Sequence, residues 1–106
     1  MAIYKNITSS PTILIAKENT RTSTSFPKSN ISKITICNNS DNPATDISLH
    51  LWAGGGGDPT YKIIHNVTIP SGTTLVLTDN LSFDKSVYNL RITNAGTDPD
   101  ITVIIK

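Results

Sequence analysis

The stretch from Tyr61 to Lys106, YKIIHNVTIPSGTTLVLTDNLSFDKSVYNLRITNAGTDPDITVIIK, is a row of short alternating runs with a turn signal between each pair. Leu75 and Leu77 share one face and Val76 takes the other. Tyr88, Leu90 and Ile92 alternate with Val87, Asn89 and Arg91, and Ile101, Val103 and Ile105 come last. Alternation at every second residue is the mark of half-buried strands. Ile69-Pro70-Ser71-Gly72 has Pro at the second position and Gly at the fourth, the pattern of a type I turn. Asp79-Asn80, Asp84-Lys85-Ser86 and Asn94–Asp100 supply the other breaks. Tyr61, Ile63, His65, Val67 and Ile69 share one parity, and Ile64 intrudes on the other.

The middle of the chain continues the pattern. Ile34 and Ile36 alternate with Lys33, Thr35 and Cys37, and the turn-forming run NNSDNP follows. Ile47, Leu49 and Leu51 then line one face, with Ser48, His50 and Trp52 on the other. Gly54–Gly57, Asp58 and Pro59 break the chain before Tyr61. About seven or eight strands spaced by turn chemistry indicate an all-β fold, an antiparallel β-sandwich that is immunoglobulin-like in the broad sense. The Cys…Trp…Cys core of antibody domains is absent, since the chain has a single cysteine.

Composition agrees. Ile and Thr occur 15 times each, and β-branched side chains pack well on a pleated sheet while losing rotamer freedom in a helix. Glu18 is the only glutamate, so exposed helices would lack their usual Glu–Lys support. The 106 residues make one domain. Within it, residues 1–30 differ in texture from the sandwich core expected over 31–106. Ile13-Leu14-Ile15 is a short apolar run. Glu18–Asn30 is polar with only Phe26 and Pro27 as anchors, which leaves open a long loop, an edge strand or an extended arm.

Several function classes are disfavoured. Net charge is +1 and the cations are scattered, whereas nucleic-acid binders cluster them. No apolar run reaches the length of a membrane span, and the N-terminus lacks a signal-peptide core, so the chain is expected to be made in the cytoplasm. Five Asn-x-Ser/Thr sequons are what a chain this rich in Asn, Ser and Thr holds by chance. His50, His65 and Cys37 fall on different strands without metal-ligand spacing, so no metal or cofactor is expected. His50 is placed at the surface by its parity, and His65 at the sheet rim. Gly54–Gly57 leads into a strand and carries no Lys or Arg, unlike a phosphate loop. The hydroxyls lack an activating base, and the acids sit in turns, so no enzyme is expected and no small-molecule substrate. The best contact candidates are Trp52 and Tyr61 flanking Gly54, Gly55, Gly56, Gly57 and Asp58, since aromatics are enriched at interface centres. Ile13, Ile15 and Phe26 of the first 30 residues are the further candidates.

The block from Ile31 to Lys106 resembles small β-sandwich virion structural proteins of tailed, marine-type bacteriophages. Four stretches carry the resemblance: ITICNNS (34–40), ISLHLWAGGGGDPTY (47–61), VTIPSGTTLVL (67–77) and YNLRITNAGTDPDITVIIK (88–106). The resemblance implies a cofactor-free virion component that binds a protein lattice. Among such roles a capsid decoration, or cement, protein is favoured: it would sit on the capsid surface and bridge major capsid subunits, with a homotrimer as one arrangement. An extended N-terminal arm would suit this by adding a strand to a neighbour's edge. A neck, tail or baseplate component is the rival. A host-adhesion or carbohydrate-binding module using Trp52 and Tyr61 is the reading from a different class.

Overall fold

Alternation of β-branched and polar residues produces strands throughout, and no helix forms among the described residues. The structure, a computed structural model, describes residues 3–16, 28–55, 60–78, 80–84, 87–96 and 98–106. Ten strands follow in order: β1 (Ile3–Ile7), β2 (Thr12–Ile15), β3 (Lys28–Ile31), β4 (Ile34–Asn38), β5 (Ala44–Trp52), β6 (Thr60–Ile69), β7 (Thr74–Leu77), β8 (Leu81–Asp84), β9 (Asn89–Thr93) and β10 (Ile101–Ile105).

Eight of them build two four-stranded antiparallel sheets, ordered β1-β10-β4-β7 and β2-β9-β5-β6, and β3 pairs with β8 as a separate ribbon. Apart from the β5–β6 pair, successive sandwich strands lie in opposite sheets, and the first strand lies beside the last. This connectivity narrows the expected sandwich to a jelly roll, the double Greek key of eight strands. β1 and β3 are the two strands beyond the expected eight.

One apolar cluster joins the sheets. Ile34, Ile36, Ile101, Val103 and Ile105 face inward from the first sheet, and Ile47, Leu49, Leu90 and Ile92 from the second. Residues 3–7 and 12–15 are edge strands, one in each sheet, and add Ile7 and Leu14 to this core. Residues 17–27 lie outside the described residues.

Irregularities in β5 and β6 explain the misplaced Ile64. Leu49 pairs with Ile64 but His50 pairs with Lys62, so Ile63 is an extra residue in a β-bulge. Ile63 and Ile64 both pack against the core for that reason. A second irregularity places Asn66 at φ 52°, a left-handed conformation that Asn tolerates. Its N–H donates to Ser48 Oγ at 3.1 Å, which holds the bulge.

The turn after β6 differs by one residue from its expected position. Thr73 N donates to Pro70 O at 3.2 Å, and Gly72 takes φ 70° at the third position of the turn. Positive φ there favours glycine, so the turn follows Gly72 rather than Pro70. The NNSDNP turn instead has a buried organiser. Asn38, fully buried, donates through Nδ2 to Asn42 O (2.9 Å) and Ile69 O (3.0 Å), and its Oδ1 accepts from Ser40 N (3.0 Å).

Candidate functional site

Two outward faces remain after the core is built. On the first sheet, register sets Tyr4, Ile104, Thr35 and Val76 side by side across all four strands. Tyr4 is 69% and Val76 45% exposed, and Ile104 and Thr35 are half-buried. The neighbouring row is polar: Asn6, Thr102, Cys37 and Thr74. Thr102 Oγ1 donates to Asn6 Oδ1 at 2.9 Å and accepts from Asn39 Nδ2 at 2.7 Å, which fixes these side chains in place. Cys37 Sγ lies 3.4 Å from Asn39 Oδ1 in the same network. Beyond the apolar row, Lys33 and Lys106 face each other through two backbone hydrogen bonds (2.9 and 3.2 Å). Exposed aromatic side chains with a polar rim are a feature shared with protein-contact surfaces.

The second sheet shows a different arrangement around Trp52. Register aligns Ile13, Arg91, His50 and Lys62 in one row across β2, β9, β5 and β6. Arg91 lies with its guanidinium 3.9 Å from the centre of the Trp52 ring, a cation–π contact. Its Nε donates to His50 Nε2 at 2.7 Å. Trp52 is itself anchored at both ends: Nε1 donates to Gly55 O (3.2 Å), and its carbonyl accepts from Asn89 Nδ2 (3.1 Å).

His50 corrects the expectation of a surface histidine, since it is only 2% exposed. Outward parity here does not mean exposure, because the Arg91 side chain lies against it. Burial, with Arg91 and then Lys62 nearby, lowers its pKa from 6.5 to about 4. At neutral pH the ring is uncharged, and because Nε2 accepts from Arg91, the ring proton resides on Nδ1. Nδ1 is buried without a hydrogen-bond partner. His65 is exposed.

The expected Trp52–Tyr61 patch does not assemble. Tyr61 pairs with Leu51, and Trp52 is the next residue along β5, so the two rings leave opposite faces of the sheet. Tyr61 instead meets Tyr88 edge to face, with centroids 5.7 Å apart. Gly54 adopts φ 115° as the chain leaves β5, and Gly55 receives the Trp52 indole N–H. Gly56, Gly57, Asp58 and Phe26 lie outside the described residues. Ile13 is 41% exposed beside Arg91, and Ile15 is half-buried at the sandwich margin.

Sequence reading missed Arg91 and the Tyr4 row. Arg91 shows its outward parity, but its partners on β5 are about 40 residues away in the chain and only pairing reveals them. A recess of about 510 Å³ lies along the ribbon, lined by Asn30, Ile31, Ser32, Asn80, Leu81 and Ser82. It offers amides and hydroxyls but no ionisable side chain. Among the described residues no group of three His, Cys, Asp or Glu side chains could hold a metal ion. No helix among the described residues is long and apolar enough to cross a membrane. Comparison with protein-family models, with curated proteins and with solved structures finds no match.

Proposed function

We propose that this chain is a non-enzymatic structural protein of a phage particle. In this reading it decorates the capsid and stabilises it by bridging major capsid subunits. The observation that carries the reading is the outward row Tyr4–Ile104–Thr35–Val76. It is a largely apolar strip on regular sheet, where a partner can dock without ordering a loop and so without that entropy cost. The jelly-roll connectivity adds support by analogy, since this fold recurs in viral shells, though fold alone does not assign function. The sequence resemblance to phage virion proteins points the same way. A decoration protein gains stabilising power because each copy touches two subunits, and its binding energy then opposes their separation.

The alternative within this class is a neck, tail or baseplate component. Stoichiometry separates the two. In purified particles of the phage that encodes the chain, a decoration protein is expected in fixed proportion to the major capsid subunit. A ratio of only a few copies per particle would overturn the decoration reading in favour of the neck or tail. The adhesion reading lacks its platform, because Trp52 and Tyr61 occupy opposite faces and one side of the Trp52 ring carries Arg91.

A further inference from the structure

The geometry points to a carboxylate-binding site at the guanidinium of Arg91, on the outer face of the second sheet, with an Asp or Glu side chain of a partner protein as its ligand. This rests on the proposed function in one respect: a bridging protein needs a second contact surface, and Arg91 lies on the sheet opposite the Tyr4 row.

Three features make Arg91 a built receptor rather than a loose surface cation. Its plane is held by the Trp52 ring at 3.9 Å. Its Nε is fixed by His50 Nε2 at 2.7 Å, and His50, being neutral, accepts that bond without repelling the guanidinium. These contacts use the ring face and one N–H, leaving the Nη1/Nη2 end unengaged: among the described residues the Arg91 side chain makes no further hydrogen bond and no ion pair. A guanidinium presents paired N–H donors whose spacing matches a carboxylate, and an immobilised one loses less entropy when it binds.

Among the described residues this row holds no counter-ion. Arg91, His50 and Lys62 share a row with Ile13, so the line carries two positive charges and no acid. His50 Nδ1–H, buried and without a partner, is a further unsatisfied donor in the same cluster. A half-exposed Ile13 next to the guanidinium provides apolar surface for the stem of an acidic side chain. An acidic sugar fits less well, because its ring would need the face of Trp52 that Arg91 already covers.

The test is an NMR titration of the full chain, following the Arg91 Nε–H and Trp52 indole N–H signals. The probes are acetyl-Gly-Glu-Gly-amide, its Gln isostere, sodium glucuronate, and sodium chloride at matched ionic strength. The Glu peptide is expected to give saturable shifts at both signals, with the Gln peptide and chloride giving none. Arg91→Lys, which keeps the charge but loses the paired donors, is expected to weaken binding by about tenfold. Trp52→Leu, which keeps Arg91 but removes its platform, should weaken it as well. Equal shifts with the Gln peptide or with chloride would overturn the site in the unaltered chain, whatever the variants do. Tighter binding of glucuronate than of the Glu peptide would overturn the assignment to a protein side chain. Neither outcome bears on copy number in particles, so this inference and the proposed function fail separately.

Discussion

Two buried polar side chains, Asn38 and His50, show how single residues set local order here. Asn38 satisfies three backbone groups from two segments and ties the turn after β4 to the end of β6. Removing it takes away three hydrogen bonds, the one to the Ile69 carbonyl buried, a loss of about 2–3 kcal/mol. Asn38→Ala should therefore lower the chemical denaturation midpoint by a matching amount, and an unchanged midpoint would show that water replaces the amide. His50 sets a pH dependence. Its folded pKa, about 4, lies below the unfolded value of 6.5, so the unfolded chain binds the extra proton first. Its contribution to stability is intact above pH 6.5 and is lost progressively as pH falls from 6.5 to about 4. Among the described residues the charged groups facing it are Arg91 and Lys62, both basic. Denaturation midpoints between pH 7 and pH 4 should fall more steeply for the natural chain than for His50→Gln. Parallel profiles would contradict the assignment. His50 was misjudged from sequence because alternation gives the direction of a side chain, and burial depends on what a neighbouring strand lays over it.

At the scale of elements, the strands and most breaks were legible and their partners were not. Alternation in 34–38, 47–52, 74–77, 89–93 and 101–105 reads directly as strands with the observed inward faces. The adjacent isoleucines at 63 and 64 signalled an irregularity, and the bulge is its physical form. Pairing of β1 with β10 joins the two ends of the described chain, and no local pattern encodes a contact at that separation. The edges carry their own protection. On β1, Lys5 shares the inward parity of Ile3 and Ile7, opposite the fully buried Val103, yet it is itself exposed. A charge on the inward row of an edge strand discourages pairing with a second sheet. Lys5→Ile should raise the fraction of self-associated protein seen by light scattering, and a variant that stays as monodisperse as the natural chain would remove that role from Lys5.

For the whole molecule, the sandwich places the two proposed contact surfaces, of different chemistry, on opposite sides. The face of the first sheet carries the Tyr4–Val76 strip beside a polar row, and the second carries a guanidinium fixed by Trp52 and His50. Sequence placed the contacts on Trp52, Tyr61 and the glycine run because aromatics beside a flexible loop are conspicuous in one dimension. The four-residue row of Tyr4, Ile104, Thr35 and Val76 exists only after three strand pairings are made, so it has no sequence signature. The docking proposed for this row is onto a phage shell. It is tested most directly by rebinding purified chain to phage particles that lack it and counting bound copies per major capsid subunit. Natural protein should bind in a fixed, saturable ratio, while Tyr4→Asp/Val76→Asp, with both changes at exposed positions and an unaltered melting temperature, should lose binding by at least about tenfold, as expected when charge is set into an apolar contact. Equal occupancy by the variant, or no binding by the natural chain, would contradict this docking.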